Sequence, residues 1–294
     1  MMSSVLLYGA SMVLFGSIGA VVRLLGLPAS EIAMYRGLFG SLCLVPFFLR
    51  TDRAGFAGKL QRNWLVLALS GVALAGNWVL LFEAFRHTSI AIAALCYYTA
   101  PVLVAAAAPF LLGEKPSARN LLAITVTFLG LVLVSGGQHG AGGASRPLAG
   151  ALFGLGAALC YASLIVMNKF VAGMDGLETT LPQLSLATVI LAIYVAASGS
   201  YRPFPPLGWQ AALLLVFGVV HTGLGFLMFF LGIKGLKAHR IALLSYLDPL
   251  VSVAISLLAF SETLTRVQTL GACCIAGSIL FATLVPAQSD AQPA

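Results

Sequence analysis

The sequence predicts an all-α polytopic membrane protein in which ten transmembrane helices form two inverted repeats of five. Three observations predict this fold class: a very apolar composition, ten long apolar segments, and a motif that occurs twice at a constant spacing. Of the 294 residues, 60% are hydrophobic and only 9% are charged. A typical soluble domain has about 25% charged residues, so this chain has too few charges to cover a water-soluble fold.

The ten apolar segments are separated by short charged or Gly/Pro-rich joints. A run of about 20 apolar residues crosses a hydrocarbon core about 30 Å thick, and a helix satisfies its own backbone polar groups there. The start, Met1-Met2-Ser3-Ser4, lacks the basic region of a secretory signal, so we expect the first segment to be retained. The predicted helices are 3–25, 30–50, 62–85, 88–112, 117–136, 148–171, 177–198, 208–231, 237–260 and 266–285.

The motif around Pro101 recurs around Pro249. Residues 94–101 read ALCYYTAP, residues 242–249 read ALLSYLDP, and each proline is followed thirteen residues later by a glutamate. The constant offset of 148 indicates an internal duplication. Because each copy holds five helices, an odd number, tandem copies lie upside down relative to each other. We expect the first repeat over 1–137, a Gly-rich linker over 138–147, the second repeat over 148–286 and a disordered tail over 287–294.

The positions of Lys and Arg predict that both termini are cytoplasmic. With the N-terminus inside, ten basic residues fall in the inner joints and five in the outer joints, which leaves Arg36 within a span. Cytoplasmic loops are enriched in these residues. The net charge of +7 therefore follows from topology in a cell inner (plasma) membrane. A nucleic-acid partner is not expected, because it would need a clustered basic face.

A short repeat signature carries a resemblance to a known family. It comprises a tyrosine, a proline three residues later and, further on, a Gly-Glu pair, with a glycine late in each copy. It stands in this chain as Tyr98, Pro101, Gly113, Glu114 and Gly130, and again as Tyr246, Pro249, Ser261, Glu262 and Gly277. This pattern resembles the EamA-type ten-helix members of the drug/metabolite transporter superfamily, which include aromatic and neutral amino-acid exporters.

The resemblance implies two inverted five-helix bundles around a central cavity, lined mainly by the first four helices of each copy. Ser261 departs from the glycine of the family pattern, so we expect a less tight turn in the second copy. Glu114 and Glu262 each precede a helix, whose N-terminal N–H groups stabilise a carboxylate by about 0.3–1 kcal/mol. Both glutamates are therefore interpreted as structural. Capping-type spacing occurs at the same helix starts, at Ser117 and Asn120 and at Thr265 and Gln268.

Pro101 and Pro249 lie deep within the fourth and ninth predicted helices. A proline there removes a helical hydrogen bond and clashes with the preceding turn. The freed carbonyls are tolerated where they are packed in protein or face water. Each proline alone is equally consistent with a packing kink, but their symmetric occurrence favours a pair of gating hinges.

Four polar side chains inside the spans are candidate site residues, because a charge at mid-membrane costs at least about 2.5–3.5 kcal/mol. Asp248 is interpreted as binding a substrate ammonium, carrying a proton or pairing with Arg36. Arg36 could hold a carboxylate, pair with Glu31 or extend to the membrane surface. His221 suits proton coupling or an interhelical hydrogen bond, and Asn77 suits a cavity wall or the same kind of bond.

Five aromatic residues lie inside predicted helices, away from the interfacial belt. A ring with a polar tip can stack on a substrate while its hydroxyl or N–H meets polar atoms, although it can equally pack in a core. These candidates for a substrate path are Trp78, Tyr97, Tyr98, Tyr161 and Tyr246.

The sequence holds no metal-ligand spacing, phosphate-binding loop or nucleophile motif, so neither an enzyme activity nor a cofactor is expected. The leading hypothesis is a secondary transporter that works by alternating access and exports small metabolites. Neutral or aromatic amino acids are the substrates that the resemblance implies. Export of drugs or organic cations is the alternative, and a membrane-embedded enzyme is a distant one. The expected partners are a small-molecule substrate and the lipid bilayer, with proton coupling and oligomeric state left open.

Overall fold

A computed structural model describes residues 2–50, 55–111, 118–135, 146–198, 208–233, 236, 241, 244–245 and 247–284. These parts of the chain are built almost entirely of helices, and α11 among them is a π-helix. The helices are α1 (Met2–Gly16), α2 (Ile18–Leu25), α3 (Ala29–Leu49), α4 (Phe56–His87), α5 (Ile90–Tyr97), α6 (Ala100–Leu111), α7 (Ala118–Ser135), α8 (Pro147–Asn168), α9 (Gly176–Ala197), α10 (Trp209–Val216), α11 (Phe217–Leu224), α12 (Gly225–Ile233), α13 (Leu247–Ala259) and α14 (Arg266–Leu284).

These helices follow the ten predicted spans and confirm the all-α polytopic fold class. The first span consists of α1 and α2, the fourth of α5 and α6, and the eighth of α10, α11 and α12. Among the described residues, two shorter apolar helices cover Ile90–Val104 and Leu247–Ala259. Within the same residues, six stretches are long and apolar enough to cross a membrane: Ser3–Leu25, Ala29–Leu49, Phe56–His87, Leu148–Asn168, Gly176–Ala197 and Trp209–Gly232.

The third span begins at Phe56, so the predicted start at residue 62 is wrong. The extra residues include the polar Lys59 and Gln61, which is why an apolar run does not include them. This end of α4 is held by contacts with the first turn of α9 and with the loop before it. Lys59 Nζ lies 3.0 Å from Glu178 Oε1, and the Asn63 amide exchanges hydrogen bonds with the backbone of Ala172.

The packing of the helices repeats between the two copies. Helix α4 of the third span packs most extensively against α8 of the sixth, and its counterpart α12 of the eighth span packs against α1 of the first. Likewise α4 packs against α9, and α11 against α3. The pairs α5 with α8 and α13 with α1 complete the pattern. Each of these three packing pairs therefore has an equivalent five spans further along the chain.

The contact between α7 and α14 shows that the two copies are inverted. The Thr127 and Ser278 hydroxyls are 2.6 Å apart. One turn further along α7, a Cβ at Gly130 would lie 2.7 Å from the Ile275 side chain and 2.8 Å from the Gly271 carbonyl oxygen. Moving forward along α7 thus corresponds to moving backward along α14. Because these are the fifth spans of the two copies and they run antiparallel, the copies lie upside down relative to each other.

The fourth span is interrupted next to Pro101. Helix α5 ends at Tyr97 and α6 begins at Ala100. Proline has no N–H to donate to the carbonyl four residues earlier, whereas it is well tolerated in the first turn of a helix. Val102 N donates to Thr99 O at 2.9 Å, which starts the new helix. In the second copy α13 begins at Leu247, two residues before Pro249. The hinge role of these prolines stays a prediction.

The turn before α14 contains Ser261 and leads into the predicted capping box. Ser261 has a φ of 51°, which lies in the left-handed region that glycine adopts most easily. The serine therefore adopts the backbone conformation that favours a glycine. At the start of α14 the predicted capping box is confirmed. Thr265 N donates to Gln268 Oε1 at 2.9 Å, and Gln268 N donates to Thr265 Oγ1 at 3.2 Å. Gly113, Ser117 and the side chain of Asn120 lie outside the described part of the chain.

The substitution Gly130→Ala should lower the stability of the protein by about 1–3 kcal/mol, because the new methyl group would meet the α14 backbone. Gly277→Ala is the matched control, since a Cβ there has nothing within 4 Å. Thermal unfolding of the detergent-solubilised protein measures both effects. Equal melting temperatures for the two variants would contradict the close approach of α7 and α14.

Candidate substrate site

The described candidate residues form two neighbouring groups. The first, which we call the aromatic box, consists of Arg36 and the side chains around it: Trp78, Phe82, Phe217 and Thr222. The second, the tyrosine cluster, consists of Asp248 with Tyr8, Tyr97, Tyr98 and Tyr161. Tyr246 lies outside the described part of the chain.

Arg36 is held in the aromatic box by ring faces and one hydroxyl. Its side chain is only 3% exposed, so it does not extend to the membrane surface. The guanidinium carbon lies 4.4 Å from the Trp78 ring centroid and 5.1 Å from that of Phe217. Arg36 Nε donates to Thr222 Oγ1 at 2.7 Å. A cation over a desolvated ring face gains about 2 kcal/mol, so three rings offset much of the cost of burying this charge.

The π-helix α11 brings the aromatic box together. It carries both Phe217 and Thr222, and π-helical turns occur frequently at functional sites. Glycines let α11 approach α3 closely: a Cβ at Gly218 would lie 3.1 Å from the Arg36 carbonyl oxygen. Sequence reasoning missed the π-helix, Phe217 and Thr222. The available signal was a polar His-Thr pair among the glycines of an apolar run.

His221 forms an interhelical hydrogen bond. Its Nε2 lies 3.0 Å from the Ser17 hydroxyl, at the break between α1 and α2. The ring also meets the Phe217 ring edge to face, at 5.2 Å between centroids. This geometry corresponds to the structural alternative for His221. It also ties the break in the first span to the π-helix of the aromatic box.

The tyrosine cluster surrounds a carboxylate with hydroxyl groups. Tyr97 and Tyr98 end α5, Tyr161 lies on α8, Tyr8 on α1, and Asp248 in the first turn of α13. The Tyr97 ring centroid is 5.5 Å from that of Tyr98 and 5.4 Å from that of Tyr161. All four tyrosines are within electrostatic range of Asp248, and Tyr98 interacts with it most directly.

The carboxylate of Asp248 is only partly hydrogen-bonded in the described part of the chain. Asp248 Oδ1 is buried and has no hydrogen-bond partner among the described residues. Sequence reasoning also missed Tyr8, whose hydroxyl lies 2.8 Å from that of Ser245, three residues before Asp248. Tyr8 is an aromatic residue inside a span, which is the signal that identified the other tyrosines.

Two consecutive residues of α4 connect the groups. The Asn77 amide donates to the Ala157 carbonyl on α8 at 2.8 Å and lies beside the Tyr97 side chain. Trp78 covers Arg36. Tyr97 itself is within electrostatic range of both Arg36 and Asp248. The structure therefore places a buried cation and a buried anion within electrostatic range of one tyrosine, next to the helix break at Pro101.

Glu262 lies away from these groups, in a network that joins the two copies. It is 3% exposed, forms an ion pair with Arg23 and accepts hydrogen bonds from the Ser256 hydroxyl and from Ile90 N. Arg23 also donates to the Thr88 carbonyl at 2.6 Å. The Glu262 carboxylate thus lies at the N-terminus of α5, whereas the sequence predicts that it stabilises the N-terminus of α14. Its counterpart Glu114 lies outside the described residues.

Replacing Glu262 with Gln should lower stability by about 3 kcal/mol, because it leaves a largely buried Arg23 without its counter-ion. Glu83→Gln is the control: Glu83 pairs with Arg86 at 2.8 Å on an exposed helix face, where an ion pair contributes at most about 1 kcal/mol. Thermal unfolding compares the two. The structural interpretation of Glu262 fails if its variant is no less stable than the control.

Inverted repeats with charged side chains buried near the middle of the spans are the architecture of a secondary transporter. A family model agrees: the model of the EamA-like transporter family matches residues 2–136 and again residues 148–284. The chain belongs to the EamA-like transporter family, and with it to the drug/metabolite transporter superfamily, as the repeat signature predicted.

Similar proteins come from all three domains of life. An uncharacterized transporter of Bacillus subtilis, YxxF, is 30% identical over 281 residues, which cover 96% of this chain and 89% of the relative. An uncharacterized transporter of Archaeoglobus fulgidus is 30% identical, with 92% and 93% covered. Human solute carrier family 35 member G1 is 25% identical, with 87% and 72% covered. None of these names gives a substrate.

A solved structure titled "Crystal structure of protein" shares the fold. Its TM-score is 0.65 at 19% sequence identity, and the match covers 96% of this chain and 98% of that one. At this identity the likeness extends to the fold alone.

Proposed function

We propose that this protein exports small metabolites across the cell inner membrane by alternating access, and that neutral or aromatic amino acids are its substrates. In this proposal both termini are cytoplasmic, residues 1–137 and 148–286 are the two repeats, and 138–147 joins them. Pro101 and Pro249 act as the hinges. The observation that carries the proposal is the pair of buried, oppositely charged side chains, Arg36 and Asp248, both within electrostatic range of Tyr97.

A zwitterion presents the complementary pair of charges. Its carboxylate would face the guanidinium of Arg36 and its ammonium would face Asp248. An apolar or aromatic side chain would pack on the tyrosine rings, because ring pairs at centroid distances of about 4.5–7 Å attract each other. The proposed substrate-binding residues are Arg36, Asn77, Trp78, Tyr97, Tyr98, Tyr161, His221, Tyr246 and Asp248.

Purified protein reconstituted in liposomes should take up labelled phenylalanine and leucine in counterflow, with saturable kinetics above that of empty liposomes. Tyr97→Ala should lower the uptake about tenfold, because it removes the ring that interacts with both charged side chains. Tyr194→Ala is the control, since Tyr194 is 58% exposed on the outer face of α9. Absence of saturable uptake with correctly inserted protein would contradict the proposal.

A further inference from the structure

The two buried charges differ in how far the protein already satisfies them. Arg36 has three ring faces within 5.7 Å of its guanidinium carbon and a hydrogen bond to Thr222. Asp248 keeps a buried oxygen without a partner in the described part of the chain. A buried acceptor that has lost its water costs about 1–3 kcal/mol until a donor arrives, and more when it is charged. Asp248 is therefore less fully satisfied by the protein than Arg36 is.

The surroundings of Asp248 suit a cation. Tyrosine rings present negative faces that attract ammonium groups, and aromatic cages are a common way to bind such groups. The Tyr97 ring contacts those of Tyr98 and Tyr161, and all three side chains are within electrostatic range of the carboxylate. Tyr8 from α1 is within that range too, and its hydroxyl lies 2.8 Å from that of Ser245.

Helices from both copies build this group. Tyr8, Tyr97 and Tyr98 belong to the first copy, whereas Tyr161 and Asp248 belong to the second. Helix α1 also approaches the α13 backbone closely at this point, because a Cβ at Gly16 would lie 2.5 Å from the Asp248 carbonyl oxygen. A cation bound at Asp248 would thus contact side chains from four spans, which belong to both repeats.

We propose that the tyrosine cluster is an amine-binding subsite, and that a protonated amine is the obligatory feature of the substrate while its carboxylate is dispensable. This inference rests on the proposed function and narrows it. An amino acid and the amine that lacks its carboxyl group would both bind. The acid that lacks the amino group would not bind, because it has no ammonium group to donate a hydrogen bond to the unpaired oxygen of Asp248.

Three probes that share one ring and differ in charge test this inference: 2-phenylethylamine, 3-phenylpropionate and phenylalanine. Their binding to the purified protein is measured by ligand-induced thermal stabilisation, which does not depend on transport. The amine and the amino acid should stabilise the protein at similar concentrations, and the acid should need a concentration at least about tenfold higher. Equal potency of acid and amine would overturn the proposal.

The variant Asp248→Asn tests the carboxylate itself at nearly constant volume. It should weaken the amine at least about tenfold, because truncating one partner of a buried charge pair typically costs 2–5 kcal/mol. Asp248→Glu keeps the charge and should retain measurable amine binding, so a variant that fails to fold does not decide the outcome. Unchanged amine binding in a folded Asp248→Asn variant would overturn the proposal.

The binding and transport experiments separate the two claims. Amine binding that depends on Asp248, without any amino-acid flux, would support the subsite and contradict the proposed function. Amino-acid flux that is unchanged in Asp248→Asn would support amino-acid transport, but it would contradict the binding role of Asp248 and overturn the subsite.

Discussion

Each copy of the duplicated sequence crosses the membrane five times, and this odd number is the constraint on which the architecture depends. A second copy that follows directly must start on the opposite face of the bilayer. The antiparallel contact of α7 with α14 and the recurrence of three packing pairs five spans later follow from it. Side chains that face the centre then come from both copies, as in the tyrosine cluster.

Few charges can be buried in a bilayer, and three buried ionisable side chains of the described part of the chain differ in how far the protein satisfies them. Arg36 lies against ring faces and a hydroxyl. Glu262 has an arginine, a serine hydroxyl and a backbone N–H. Asp248 has hydroxyl groups nearby but keeps one oxygen unpaired. A charge that is fully satisfied within the protein holds helices together, whereas one that is not can be satisfied by a substrate.

The fold could be predicted from the sequence because its signals are local or repeated. Apolar runs of bilayer length predict spans, and the constant offset of the two motifs together with the span count predicts inversion. The capping box of Thr265 and Gln268 needs only four consecutive residues. Ser261 shows the limit of such signals, because its left-handed φ is imposed by the turn against the preference of the residue.

Partners across the fold could not be predicted in the same way. The sequence indicates Arg36, Trp78 and Asp248 as candidate site residues, but which of them are in contact depends on helix packing. The aromatic box needs Phe217 and Thr222 from a π-helix that no periodicity indicates. Glu262 was expected near the helix that follows it, yet it stands at the start of α5, more than 160 residues away in sequence. Inverted packing brings these distant segments together.

Labelling of equivalent joints in the two copies tests the inversion most directly. Gly58 lies in the first turn of the third span, next to the joint with the second, and Trp209 is the first helical residue of the eighth span, next to the joint with the seventh. Gly58→Cys and Trp209→Cys would be placed separately in a chain without its native cysteines and treated in intact cells with a membrane-impermeant maleimide. We expect the cysteine at 209 to react from outside and the cysteine at 58 to react only after permeabilisation. Reaction of both from the same face would contradict the inverted architecture.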